Sequence, residues 1–396
     1  MLTIDGSTGE GGGQVLRTAL SLAAMLGQPV QISNIRAGRK QPGLRPQHVQ
    51  SVKAAAALCN ARLEGAQEHS RELRFEPQTP PQPGGYGFAI GTAGAATLVV
   101  QTVLLPLALA GGPSMVTVRG GTHVAWSPPF DYLDQVYLPA LAALGIQCRV
   151  ELAKWGFYPK GGGEIRAAIE SALADPAVAL AGLRPSQHPA ALAGPLPTPA
   201  LRAGASVLGT GEPGSGMVPN LRPSQPPPWT QPRGELTALS VLSAASNVGN
   251  QVTARQASRA YNRLAVARLA VAPQTRLLNP PSVGPGTCVF LLAEYESGAR
   301  AGFTGYGRQG YPAERVADDA VDAFLAHHAS DAPIDPHLAD QLILPLALLD
   351  QPNAFRTSEI TQHLLTNIWV VEQFLGRRFQ VDGRLGEAGE VRVQGQ

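Results

Sequence analysis

Residues 101–109 read QTVLLPLAL, and residues 341–348 read QLILPLAL. Both stretches end in the tetrapeptide Pro-Leu-Ala-Leu, and in both a glutamine, Gln101 or Gln341, stands shortly before the proline. Long apolar runs of this kind favour buried helices over short strands. A pattern that returns far along the chain indicates that one structural unit is repeated.

The segments around both copies extend the repeat. Residues 1–175 alternate short strand-like runs with amphipathic helical runs, and residues 331–396 return to the same helix–strand–helix–strand order. Apolar faces on both element types require that helices pack on sheets. We therefore predict an α/β (α+β) fold in which three copies of a unit each place two helices on one face of a small sheet.

A different kind of sequence separates the second and third copies. Residues 176–232 are rich in proline, alanine and glycine, a composition that excludes helix interiors and central strands. We interpret them as an irregular, partly mobile insertion. Residues 233–330 then read as a separate α/β module. The predicted organisation is a discontinuous repeat domain (1–175 and 331–396) and an inserted small domain (176–330) that begins with the Pro-rich segment.

Composition and charge narrow the class of protein. Charged residues make up 15% of the chain and hydrophobic residues 44%, as in ordinary globular proteins. The apolar run at 95–111 falls short of the ~20 residues that a bilayer span needs, so we expect no membrane segment. The cysteines Cys59, Cys148 and Cys288 are far apart and suit a reducing compartment, which predicts a cytoplasmic location.

Basic residues are concentrated near the N-terminus. Residues 11–63 contain arginines and lysines but no aspartate or glutamate. Such a region fits a polyanionic ligand, a nucleotide or a nucleic acid. The alternative is an uneven distribution of charge over a solvated surface.

The stretch STGEGGGQVLRT, residues 7–18, places three glycines between a predicted strand and a predicted helix. It lacks the Gly-Lys-Ser/Thr of a Walker loop, and Gln14 stands where a dinucleotide fingerprint requires glycine. Gly11, Gly12 and Gly13 can still bind an anion through backbone N–H groups. The alternative is a close-packed turn without room for Cβ. Glu10 would repel a phosphate unless it binds a metal ion or a ribose.

Two further stretches contain candidate functional residues. WGFYPKGGGE, residues 155–164, contains a second triple glycine and is the most distinctive local sequence. His363 begins a largely apolar helical run, TQHLLTNI. A histidine in such a place is usually packed or capping, whereas the functional alternative is a neutral imidazole that acts as nucleophile or base.

Together, several stretches resemble the RNA 3'-terminal phosphate cyclases. They occur in the expected order, cover residues 1–170 and 330–396 strongly and 233–330 weakly, and read DGSTGEGGGQVLRTALSL, IRAGRKQPGLRPQH, IGTAGAATLVVQTVLLP, WGFYPKGGGE, LADQLILPLAL and HLLTNI. The resemblance implies three repeats of a two-helix, four-stranded-sheet unit similar to the C-terminal domain of translation initiation factor 3. It also implies a smaller inserted α/β domain and a relation to one domain of the enolpyruvyl transferases.

The resemblance implies an ATP-dependent, ligase-like reaction on RNA with a 3'-phosphate end. A histidine attacks the α-phosphorus of ATP, which gives a histidyl-AMP intermediate, and AMP then passes to the RNA 3'-phosphate. The ribose 2'-OH attacks this activated phosphate and forms a 2',3'-cyclic phosphate. The nucleophile's position falls on His363, and a divalent cation, Mg or Mn, is expected as cofactor.

The resemblance also assigns the other site residues. Arg17, Arg36, Arg39 and Gln47 are expected to contact the substrate phosphate or RNA end. Glu10 is expected near the adenylate and the metal. The remaining nucleotide-binding positions are Gly11, Gly12, Gly13, Gln101, Pro128, His337, Asp340 and Gln341, of which His337 stands where the family often has an aromatic residue.

Two alternatives stay open at the level of sequence. A non-catalytic RNA-processing assembly factor of the same fold would lack the nucleophile, and His363 is present. An enolpyruvyl transferase-like enzyme would pair two similar large domains, whereas this chain combines one repeat domain with a dissimilar insert.

Overall fold

The computed structural model describes residues 1–172, 223, 225–249, 251–349, 351–376 and 379–394. It is a mixed α/β protein with several small sheets. The strands are β1 (Leu2–Asp5), β2 (Val30–Ser33), β3 (Arg62–Glu64), β4 (Leu73–Glu76), β5 (Gly85–Ala89), β6 (Ser114–Gly120), β7 (Cys148–Lys154), β8 (Gly163–Ile169), β9 (Leu236–Ser246), β10 (Gln274–Leu278), β11 (Gly286–Tyr295), β12 (Arg300–Tyr306), β13 (Asn353–Thr357), β14 (Phe379–Asp382) and β15 (Gly389–Val393).

The helices alternate with these strands along the chain. They are α1 (Gly13–Leu26), α2 (Pro46–Cys59), α3 (Ala96–Ala108), α4 (Phe130–Tyr132), α5 (Leu138–Ala143), α6 (Val252–Val266), α7 (Ala313–Ala329), α8 (Pro336–Ala347) and α9 (Gln362–Leu375). A π-helical turn, Leu133–Tyr137, joins α4 to α5.

Two of the sheets share one strand order. The first runs β1-β2-β4-β3 and the second β5-β6-β8-β7. In each, the first two strands are parallel and the remaining neighbours are antiparallel. A helix joins each parallel pair, because parallel neighbours need a crossover. The third sheet, β13-β15-β14, is antiparallel, and an isolated parallel bridge joins Ile334 to Thr357 at its edge.

The fourth sheet, β10-β9-β11-β12, belongs to residues 236–306 and has its own apolar cluster with α6 and α7. The larger core lies between α1, α2, α3, α8 and α9 and the other three sheets. Helix α3 is buried along almost its whole length, as predicted for the apolar run at 95–111. Within the described ranges, no helix has both the length and the apolar character needed to span a bilayer.

The Pro-rich segment lies mostly outside the described residues, which include only 223 and 225–232 of it. This end contains a 3-10 turn, Pro228–Thr230, in which Trp229 is 4% exposed. The Trp229 indole donates a hydrogen bond to Asn353 Oδ1 at 3.2 Å. The end of the segment therefore packs against β13 and the larger core.

Candidate active site

His363 is the second residue of α9. The helix is capped by Thr361, whose hydroxyl accepts from Leu364 N at 3.1 Å. The imidazole is therefore free of a capping role. Its side chain is 46% exposed, so the packed alternative also fails.

The glycine loop approaches this ring from α1. Gly12 precedes α1, and Gly13 is its first residue. A Cβ on Gly13 would collide with His48 Nε2 and Arg17 Nη1. Close packing therefore requires glycine here, and what it packs against is a pair of basic side chains. The close-packed alternative therefore holds at Gly13, whereas anion binding by the triple glycine stays a prediction.

Two side chains contact the His363 ring, and a third, that of Arg39, contacts one of them. Nδ1 hydrogen-bonds to Gln14 Oε1 on the first turn of α1. Nε2 lies 2.6 Å from Glu10 Oε2, in ion-pair range but without hydrogen-bond alignment. The other carboxylate oxygen of Glu10 accepts from Arg39 Nη2 at 2.7 Å. Glu10 is thus held between a guanidinium and the imidazole.

Asp340 extends this chain of contacts on α8. Its Oδ2 accepts from Gln14 Nε2 at 3.1 Å. Burial raises the pKa of Asp340, and the nearby His363 and His337 act in the opposite direction. The Gln14 carboxamide therefore connects the imidazole ring to a buried carboxyl group.

Arg17 lies one turn further along α1. Burial lowers its pKa to about 10, and Asp340 partly offsets this. His48 faces it from α2, and its Nδ1 accepts from Arg45 N at 3.0 Å. Burial, followed by Arg17, Arg36 and Arg45, lowers the pKa of His48 to about 3. This histidine is neutral near pH 7, so the positive charge beside Gly13 resides on guanidinium groups.

The predicted nucleotide-framing residues lie on α3, on α8 and in the loop before α4. Gln101 Nε2 donates to Gln341 Oε1 at 2.7 Å, which joins the two helices beside Asp340. Pro128 O accepts from the Thr97 hydroxyl at 2.8 Å. His337 is exposed on the first turn of α8, and its ring is nearly perpendicular to that of Tyr132.

Two of the predicted phosphate or RNA contacts also have structural partners. Gln47 Oε1 accepts from Ala95 N at 3.1 Å, just before α3. Arg36 has φ of 54° and donates from Nη1 to the carbonyls of Gln41 and Gly43. Arg36 therefore organises the basic loop around Arg39. Contact of any predicted residue with nucleotide or RNA stays a prediction.

Some residues at the site were not predicted from the sequence. In the sequence, Gln14 is noted only because it stands where a dinucleotide-binding motif requires glycine. Thr366 and Asn367 follow His363 by three and four residues, on the same helix face. The Thr366 hydroxyl accepts from Glu10 N at 3.4 Å, and Asn367 Nδ2 donates to Asp340 O at 2.7 Å. The spacing within HLLTNI was the available signal.

The site offers few ligands for a metal ion. Across the described residues, no group of three or more His, Cys, Asp or Glu side chains is placed to hold one. Glu10 is the carboxylate nearest the imidazole. The arrangement provides one ring nitrogen flanked by a carboxylate, guanidinium groups and a glycine turn, which suits attack on a phosphorus atom of an anionic substrate.

Known proteins of one family are similar to this chain. The family model described as "RNA 3'-terminal phosphate cyclase" matches residues 8–381. A protein of that name from Methylococcus capsulatus is 43% identical over 403 residues, covering 100% of this chain and 97% of its own length. Its namesake from Pyrococcus furiosus is 37% identical over 401 residues, covering 99% of this chain and 98% of its own length.

The similarity to a solved structure is weaker. The enolpyruvyl transferase NikO from Streptomyces tendae is 16% identical and covers 40% of this chain and 30% of its own, with a TM-score of 0.23. A likeness this weak says nothing about fold or function.

Proposed function

This chain belongs to the RNA 3'-terminal phosphate cyclase family, and on that premise we propose that it uses ATP to convert an RNA 3'-terminal phosphate to a 2',3'-cyclic phosphate. The observation that carries the proposal is the His363 ring, held between Gln14 and Glu10 with Arg39 beside it. A non-catalytic relative would have no need for a nucleophile in this setting.

In the first proposed step, His363 Nε2 attacks the α-phosphorus of ATP. An N–P bond forms, the bond to the bridging oxygen breaks, and pyrophosphate leaves. Gln14 Oε1 keeps the remaining ring proton on Nδ1, so the lone pair resides on Nε2. If this nitrogen carries a proton, the proton must leave before the attack, and Glu10 Oε2, 2.6 Å from Nε2, is the nearest base. Arg17 and Arg39 oppose the charge on the phosphoryl oxygens.

The next two steps use the RNA end. An oxygen of the 3'-phosphate attacks the same phosphorus, the N–P bond breaks, and AMP becomes joined to the RNA through a phosphoanhydride. The adjacent 2'-OH then attacks the RNA phosphate, loses its proton, and AMP departs with the bridging oxygen. Activation is needed because an oxygen of a phosphate monoester is a poor leaving group, whereas AMP is a good one.

We propose that the divalent cation reaches the site with the nucleotide. One carboxylate, that of Glu10, faces the imidazole, and Mg²⁺ in phosphate-transfer sites is commonly held by one or two carboxylates, substrate phosphates and water. Glu10 is therefore the proposed protein ligand. When bound, the cation would neutralise charge on the phosphates.

We also propose that the three similar sheets and their helices are repeats of one unit, resembling the C-terminal domain of translation initiation factor 3. The common strand order of the first two sheets supports this, as does the parallel bridge beside the third. Residues 1–175 and 331–396 form the proposed catalytic domain, and 176–330 the inserted domain. A cytoplasmic location remains a proposal that rests on the free cysteines.

Incubation with ATP labelled at the α-phosphate tests the reaction. We expect acid-labile, alkali-stable AMP on the protein, mapped to His363 and absent from His363→Asn. The matched control is His69→Asn: His69 is exposed, and its φ of 66° suits asparagine. Absence of label on the folded wild-type protein, or label on another residue, would contradict the mechanism.

A further inference from the structure

Two aromatic side chains are exposed on adjoining loops beside the candidate active site. Trp126 is 100% exposed, and Tyr158 is 73% exposed. Trp126 also has φ of 68°, a left-handed backbone conformation that bulky side chains seldom adopt. Strain of this kind persists where the surrounding structure enforces it, and it is concentrated at functional sites.

The loop of residues 122–129 holds Trp126 in place from both sides. Phe130 N donates to Thr122 O at 3.0 Å and closes the loop. The Ser127 hydroxyl donates to Val124 O at 2.9 Å, and the Tyr306 hydroxyl donates to Ser127 O at 3.2 Å. Val124 is buried, whereas Trp126 is not. The backbone is thus fixed while the indole projects into solvent.

The loop of residues 155–163 is fixed in the same way and is joined to the first. His123 forms an isolated β-bridge with Phe157, and His123 N donates to Gly156 O at 3.1 Å. Phe157 is 2% exposed, and the next residue is the exposed Tyr158. Lys160 adds an exposed cation two residues later. The two rings therefore stand on rigid, connected supports with a positive charge nearby.

These loops border the residues proposed to contact the RNA end. Gly121, which begins the turn into the first loop, bridges Ala95, and the N–H of Ala95 is bound by Gln47. Pro128, two residues after Trp126, accepts from Thr97 at the start of α3. One turn along α3 stands Gln101, which is paired with Gln341 next to Asp340. An RNA strand that leaves the phosphate site along this edge passes these loops.

We propose that Trp126 and Tyr158 form a stacking platform for the bases of single-stranded RNA immediately 5' of the terminal phosphate. This inference rests on the proposed function, because that function supplies the strand and its direction. Aromatic side chains on rigid supports bind bases of any sequence, since every base has a π-face, and Lys160 matches the charge of the backbone. The platform would hold unpaired RNA that extends several nucleotides upstream of the terminal phosphate, with little preference for sequence.

The experiment measures RNA binding without ATP. The probes are a pentanucleotide with a 3'-phosphate and a mononucleotide 3'-phosphate, which has no upstream base. Trp126→Gly removes the ring and suits the positive φ, and Tyr158→Ala removes the second ring. We expect Kd for the pentanucleotide to rise about 5- to 150-fold for each ring, and Kd for the mononucleotide to change less than about twofold.

The control is Tyr261→Ala, at a 46% exposed tyrosine on α6, and it is expected to leave both Kd values unchanged. Intrinsic fluorescence supplies a second readout: RNA should quench wild-type emission, and Trp126→Phe should lose that quenching while it keeps most of the affinity. Folding of each variant is checked by thermal melting. Should Trp126→Gly not fold, Trp126→Phe and Tyr158→Ala still give the quenching and affinity results.

Labelling of His363 by ATP, measured without RNA, distinguishes failure of the stacking platform from failure of the proposed function. Unchanged pentanucleotide affinity in the folded variants would refute the platform. A raised KM for ATP in Trp126→Gly, with RNA affinity intact, would show that the indole contacts adenine and would also refute it. Failure of the wild-type protein to be labelled would refute the proposed function, yet it would leave the RNA-binding measurement readable.

Discussion

Replacement of Gln14 by methionine keeps the length of the side chain and removes both of its polar contacts. One is the hydrogen bond with His363 Nδ1, and the other is the 3.1 Å donation to the buried carboxyl group of Asp340. A hydrogen bond to a neutral group contributes about 1 kcal/mol, and one to a charged group about 1.5–3 kcal/mol. If about 3 kcal/mol of this is expressed in the transition state, transfer of AMP to His363 slows about 100-fold.

The assay is the rate at which protein-bound AMP appears from ATP labelled at the α-phosphate, at saturating ATP. Gln78→Met is the control, because Gln78 is exposed and its side chain donates only to nearby carbonyls. Thermal melting establishes that Gln14→Met is folded. A folded Gln14→Met protein that is labelled within about twofold of the wild-type rate would refute the role assigned to this carboxamide.

Three further predictions follow from the surroundings of the site. Gly13→Ala should displace His48 and Arg17 and slow His363 labelling at least about tenfold, whereas Gly87→Ala, which has open space for Cβ, should not. The pKa of His48 is about 3 in the folded protein and ~6.5 in the unfolded chain, so the unfolded chain binds the proton first as pH falls. Between pH 6.5 and 3, His48 therefore lowers the free energy of unfolding by about 1.4 kcal/mol for each pH unit. His48→Gln should remove this contribution, as measured by urea titrations at a series of pH values. Burial raises the pKa of Asp134 to about 6, so the free energy of unfolding falls as pH rises from about 4 to 6. Asp134→Asn should raise the free energy of unfolding at pH 7.5 by about 1–2 kcal/mol, after allowance for solvent screening. At about pH 3.5 the same titrations should show almost no change.

The sequence predicted the larger elements because they carry strong periodic signals. The apolar run at 95–111 is the buried helix α3, and the run after His363 is helix α9. It missed β3, which has three residues, and β15, which has five, because short strands carry little periodic signal and their partners are set by the sheet. The π-helical turn Leu133–Tyr137 was also missed, since its composition is that of an ordinary helix.

Some residues of the site were predicted from the sequence and others were not, and the difference has a physical reason. His363 and Glu10 were identified through the resemblance, and the structure places them 2.6 Å apart although no local pattern connects them. Gln14 was visible in the quoted motif but served only as an argument against a dinucleotide loop. A carboxamide is neither a nucleophile nor an acid or base, so its residue type alone does not indicate a site. Its role depends on two partners, His363 and Asp340, that only the fold brings within reach.

The site forms only when α1 packs against α8 and α9 in one register. A series of buried hydrogen bonds between these helices fixes that register. Thr18 on α1 donates to Asn367 Oδ1 at 2.7 Å in the buried interface, and Asn367 Nδ2 donates to Asp340 O on α8. Apolar packing alone would tolerate sliding of α1 on α9, since many registers bury similar area. A slide of one residue would separate these buried groups from their partners, which is costly, and would also carry Gln14 away from His363. The pair Thr18–Asn367 thus aligns the helices that hold the imidazole and its carboxamide.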